Sequence, residues 1–242
     1  MWGRAALLGL GMLAATAGTG AAQSAQEARY VEPTDRYGHD ALGPGHEWEA
    51  LEVTVAGGAK ALRFEAGPEH VFEDIAPRLW DVDGDGQTEI VTVQSHLERG
   101  ARLLILKPTA SGLTPLSASP YIGARHRWLA PVGMADIDAD GVQDLILVDR
   151  PHLAKELVFY AFAPGALREM ARVPGYTNHR FGEDRIIGGI RDCGTGPEAI
   201  VASGDWHERV AFGFDSRAGA LYRQVIGPGT ASEDFARALS CR

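Results

Sequence analysis

Trp80-Asp81-Val82-Asp83-Gly84-Asp85-Gly86-Gln87-Thr88-Glu89-Ile90-Val91 is the stretch on which the reading of this chain turns. Acids alternate at 81, 83 and 85, glycine follows at 86, another acid stands at 89, and an apolar run begins at once. The pattern returns 55 residues on as Ala135-Asp136-Ile137-Asp138-Ala139-Asp140-Gly141-Val142-Gln143-Asp144-Leu145-Ile146. A worn third copy comes 54 residues later, Ile190-Arg191-Asp192-Cys193-Gly194-Thr195-Gly196-Pro197-Glu198-Ala199-Ile200. It keeps the second and last acids, Asp192 and Glu198, and has lost the first and third. Self-similarity at a fixed period is the signature of a repeat architecture.

Outward from each acidic loop the flanks repeat too. A β-rich run follows (Ile90 to Val93, Leu145 to Val148, Ala199 to Ala202), then a polar turn with one histidine. A second apolar run comes next (Leu103 to Leu106, Leu157 to Phe162, Val210 to Phe214), then a short strand near Leu113, Leu167 and Leu221. Evenly spaced short strands with turn signals indicate an all-β array. With one strand before the loop and three after it, each unit reads as a four-stranded propeller blade. Leu51 to Val55 and Leu62 to Glu65 read as a hairpin resembling the end of a blade, and Asp234-Phe235 resembles the start of one. The expectation is an all-β chain, a small or partial β-propeller of three full units plus an incomplete fourth. The end fractions would combine to close the ring and hide its sheet edges; an open array is the rival geometry. The repeat domain is expected over 48–242. Residues 23–47, polar with Pro33, Gly43, Pro44 and Gly45, read as a linker or N-terminal arm.

The loops carry the clearest chemistry. Calcium takes six to eight hard oxygen ligands, and a glycine at position six permits the sharp turn that brings them together. The first loop offers Asp81, Asp83, Asp85, the Gln87 carbonyl and Glu89; the second offers Asp136, Asp138, Asp140, the Val142 carbonyl and Asp144. Two calcium ions are expected. An EF-hand is excluded, because it needs a bidentate Glu at position twelve, where this chain has Thr92 and Leu147. Strand, D-x-D-x-D-G-x-x-[DE], apolar strand, repeated every 50 to 60 residues, resembles the FG-GAP/VCBS repeats of integrin-α-type propellers over about residues 50 to 235. The resemblance implies calcium in the loops and a role as an adhesion or ligand-binding scaffold. Propellers of that family are commonly seven-bladed, more than this chain has residues to build.

Histidines follow the same register. His96, His152 and His207 fall in the turn between the second and third strands, and His126-Arg127-Trp128 and His179-Arg180-Phe181 each precede an inner strand. Blade connections alternate between faces, so these residues should gather opposite the acidic loops. His96, His126, Arg127, His152, His179, Arg180 and His207 are the candidate ligand face, suited to an anion, a glycan or a transition metal; the leading reading of the recurrence itself is structural, turn caps and wedges, since a repeat copies packing residues as readily as functional ones. No nucleophile elbow, metalloprotease helix, P-loop or dinucleotide fingerprint is present. A binding module therefore leads, and a secreted glycan lyase or hydrolase using that face, with structural calcium, is the alternative.

Arg4, the apolar run Ala5 to Ala17 and the small residues Gly20-Ala21-Ala22 read as a signal peptide over 1–22, which places the mature chain in the periplasm or outside the cell. Only two cysteines are present, Cys193 and Cys241, and export makes a disulfide between them plausible chemistry. The net charge of −9 argues against nucleic-acid binding. No second long apolar stretch follows, so no membrane span is expected after cleavage. The partner is expected to be a protein or a glycan, and an open ring would leave an edge for oligomerisation.

Overall fold

The computed structural model describes residues 23–58 and 61–242; the expected signal peptide lies outside them. The described residues are all-β, with antiparallel sheets and one short helix among them. β1 (Ala25–Pro33) pairs with β2 (Glu47–Val55), and the other side of β2 takes β3 (Leu62–Glu65) and the end of β4 (His70–Glu73). β4 and β5 (Arg78–Trp80) both pair with β6 (Glu89–His96), as two halves of one broken inner strand, and β7 (Gly100–Thr109) and β8 (Gly112–Ala118) complete this sheet. The second sheet is a four-strand meander, β9 (Leu129–Ala135), β10 (Asp144–Asp149), β11 (Glu156–Ala161) and β12 (Arg168–Pro174). The third repeats the broken inner strand: β13 (Tyr176–Thr177) and β14 (Gly189–Asp192) pair with β15 (Pro197–Ser203), followed by β16 (Glu208–Asp215) and β17 (Ala220–Pro228). α1 (Ser232–Leu239) ends the chain.

The sheets stack in chain order, and the alternation of side chains explains why. Along β6, Val91 and Val93 join a core shared with Leu145, Leu147 and Val158 of the second sheet. Ile90, on the opposite face, packs with Tyr30, Leu51 and Val53 of the N-terminal hairpin. Every residue of β6 is buried, as expected for a strand covered on both faces. A third cluster joins the second and third sheets through Phe159, Tyr176, Val201 and Phe212. The far face of the third sheet is covered by Phe235 and Ala238 of α1.

Two expectations are corrected here. Residues 25–33, read as part of a linker or arm, form β1: Tyr30 and Ala25 are buried, and the Tyr30 hydroxyl lies 2.6 Å from Thr92 Oγ1. The two end fractions do not combine into an incomplete fourth blade. The N-terminal hairpin joins the first sheet through Glu47↔Glu73 and Trp48↔Phe72, and Asp234-Phe235 lie in α1. The polar look of 23–33 arises because only one face of β1 is covered, and Phe235 enters the core from a helix on which Ala238 is the other buried residue. No helix among the described residues is long and apolar enough to cross a membrane.

Candidate functional site

The acidic loops lie at one end of the stack. In the first, the Val82 amide donates to Glu89 Oε2 (3.0 Å), Gly86 N–H to Asp81 Oδ2 (3.0 Å) and Gln87 N–H to Asp85 Oδ1 (2.8 Å). The second repeats this wiring: Ile137 to Asp144 Oδ2 (3.0 Å), Gly141 to Asp136 Oδ2 (3.0 Å) and Val142 to Asp140 Oδ1 (2.8 Å). The turn needs left-handed backbone at position six, supplied by Gly86 (φ 82°) and Gly141 (φ 88°). Carboxylate oxygens of Asp81, Asp83 and Asp85 lie within 4.8 Å of one another, as do those of Asp136, Asp138 and Asp144. Like charges this close repel unless a cation stands among them. Burial pushes the Asp144 carboxyl up to about 7, and the charges of Asp138, Asp140 and Asp136 add to that. Burial also raises Glu89. Asp81 Oδ1 is buried without a hydrogen-bond donor. Both donor sets are all-oxygen and fit a hard divalent cation.

Lys107 sets the loops apart. Its Nζ lies 2.7 Å from Asp85 Oδ2 and 3.3 Å from Glu89 Oε1, and it also donates to Asp83. Burial alone would lower the Lys107 pKa, but hydrogen bonds to Asp83 and Asp85 outweigh it and raise it. The second loop has no such partner: among the described residues no basic side chain pairs with Asp136, Asp138, Asp140 or Asp144. The third, worn loop is closed covalently, since Cys193 is joined to Cys241 beyond α1.

The opposite end holds the histidines, because β6 runs from Glu89 to His96 and β10 from Asp144 to Asp149. There the seven expected ligand residues divide. His126, Arg127 and His152 line one cavity of about 250 Å³, together with His39, Trp128 and Phe181. His179 and Arg180 line a neighbouring cavity of about 260 Å³, where Arg180 lies 3.8 Å over the ring of Trp206. His96 instead meets His70 edge to face at 4.8 Å and packs against Tyr121. His207 is exposed, 3.0 Å from Asp205.

Four chain segments build the first cavity. Glu47, buried in β2, accepts the amides of Gly38 (2.9 Å) and His39 (2.7 Å) and so fixes the loop carrying His39. His39 stacks on His126 at 5.0 Å, and its Nδ1 lies 2.7 Å from Oε1 of Glu73. Burial raises the Glu73 pKa, while its contacts with His39 and Ser95 pull it back. Trp128 donates from Nε1 to the Glu73 carbonyl (2.7 Å) and packs against both His152 and His179. His179 Nε2 lies 2.8 Å from the Glu183 carbonyl, which can only accept, so the proton sits on Nε2. In the neutral ring Nδ1 is then the acceptor, and His152 Nε2 donates to it at 2.8 Å. Burial holds His152 down to about 4, reinforced by His179, His39 and Lys155, and burial lowers His179 as well. Both imidazoles are neutral at physiological pH. His126 and Arg150, two lining residues, hold left-handed backbone (φ 58° and 48°), a strain that collects at functional sites.

Arg127 brings charge to this cavity and has no carboxylate partner among the described residues; its NH1 reaches only the His126 carbonyl, at 3.3 Å. Leu153 and Phe181 on the rim are 61% and 60% exposed, the two most exposed large apolar side chains described. His39, Glu73 and Arg150 were not picked out by the repeat. His39 lies outside it, and Glu73 and Arg150 have no counterpart of the same type one period away. No protein-family model, curated protein or solved structure matches this chain.

Proposed function

We propose that this chain is a calcium-stabilised extracytoplasmic binding scaffold, assembled from FG-GAP/VCBS-type blades as a partial propeller. Its ligand site is the cavity between His39, Arg127, His152 and Phe181. The observation that carries this reading is an unpaired guanidinium beside an exposed aromatic and aliphatic rim. Arg recognises carboxylates through a planar two-donor fork, and Trp128, Phe181 and Leu153 offer an apolar surface for a sugar ring. An acidic glycan fits both. The two Asp clusters at the other end support calcium as the ion, through their oxygen-only ligands and the position-six glycines. The Cys193–Cys241 bridge supports an oxidising compartment.

Titration with a uronate-bearing oligosaccharide, against a neutral one of equal length, tests the proposal. Binding of the acidic sugar is expected, and Arg127→Ala should weaken it ten-fold or more, since a charge-assisted hydrogen bond contributes about 1.5–3 kcal/mol. Equal binding of both sugars, or an Arg127→Ala protein that binds as the parent does, would overturn it. The lyase or hydrolase reading draws on the contact of His39 with buried Glu73. Following the same incubation for chain shortening separates the two.

A further inference from the structure

Each acidic loop ends on a buried carboxylate: Glu89, Asp144 and Glu198 are 0%, 1% and 4% exposed. A buried charge must be met by an opposite one, and leaving it unpaired is strongly destabilising. The three sheets meet it differently, and the residue across the strand pair decides how. In the first sheet the register Ile90↔Leu106 places Lys107 across from Glu89, and its ammonium lies among Asp83, Asp85 and Glu89. In the third, Glu198 takes Arg191 at 2.8 Å and the Tyr222 hydroxyl at 2.8 Å. Tyr222 reaches it over Gly213, where a Cβ would stand 2.5 Å from the tyrosine oxygen. In the second, Asp144 faces Ala161, which supplies neither charge nor hydrogen bond. The carboxylates of Asp136, Asp138 and Asp144 converge there, and the loop's acids have backbone amides alone as hydrogen-bond donors.

Resting on the calcium reading of these loops, we infer that Lys107 is the resident cation of the first loop, so that the chain holds one exchangeable calcium ion, in the second. The sequence motif is equally complete in both loops. What separates them is one residue on the neighbouring strand, outside the motif. An ammonium on a flexible stem matches the charge-neutralising part of the ion's role without its six-fold or higher coordination. To bind in the first loop, calcium must displace Lys107 from at least two carboxylates and leave it unpaired; in the second it displaces no charged protein group.

Equilibrium dialysis against 1 mM calcium, with metal counted per chain, reads this directly. The wild type should hold one ion, Lys107→Met two, Asp138→Ala none, and the double variant one. Two ions on the wild type would overturn the inference whether or not Lys107→Met folds. No ion on any variant would instead remove the calcium reading itself, and the inference with it. Acetylation of surface amines, followed by mass mapping, gives a second readout on the unaltered chain. Lys107 should stay protected in both calcium and chelator; calcium-induced labelling of Lys107 would contradict its residence in the loop.

Discussion

At the scale of single residues, the histidine end of the molecule should respond to acid. His152 is held to about 4, against an ordinary 6.5, by burial and by the charges of His179, His39 and Lys155. His70 is lowered to about 4 by burial, with His96 and two arginines adding to it. For a group whose folded pKa is depressed in this cationic sense, the unfolded chain takes the proton first. The stability contributed by neutral His152 and His70 is therefore complete above about pH 6.5 and is lost as pH falls toward 4. Denaturant midpoints measured from pH 7 to 4.5 should fall, and His152→Gln should flatten the slope; an unchanged slope in that variant would assign the acid sensitivity elsewhere. The sequence revealed part of this cluster. His126, His152 and His179 recur in register, so periodicity found them. His39 and Glu73 stand outside any repeated pair and meet the others only through the fold of the N-terminal loop. Lys107 was hidden for a related reason: it lies on β7, and only strand register brings it to the loop.

At the scale of elements, repeated apolar runs located most strands, since β6, β10 and β15 are central and nearly or wholly buried along their length. The same cue failed for β1, where one residue in several is buried and charges fill the exposed face. Its attachment is testable through the Tyr30–Thr92 hydroxyl pair, 2.6 Å apart and buried. Tyr30→Phe alone and Thr92→Val alone should each cost about 1–3 kcal/mol, because each strands a buried partner. The double variant should cost clearly less than the sum, and strict additivity would show that β1 does not pack there in solution. The inner strands of the first and third sheets are broken, that of the second is not. In the third sheet the gap between β13 and β14 carries His179, Arg180 and Phe181 out toward the site. A repeat period reports spacing between copies and does not show a strand leaving its sheet midway.

At the scale of the molecule, three sheets stack through shared apolar layers, with a hairpin over one outer face and a helix over the other. Repeat arrays need such end caps, since each unit buries its faces only against neighbours. The copied motif made the repetition legible, but the capping segments do not copy it and so gave no signal of their role. The disulfide fastens the helical cap to the worn loop, the one place where the acidic set has decayed. The acidic loops and the histidine-lined cavity thus sit at opposite ends of the same strands. On the proposed reading, calcium holds this scaffold together. A thermal melt of the mature chain in calcium, in magnesium and in chelator, repeated for Asp138→Ala, tests it most directly. A rise in melting temperature specific to calcium and abolished by Asp138→Ala is the predicted result; identical melting in calcium and chelator would contradict it.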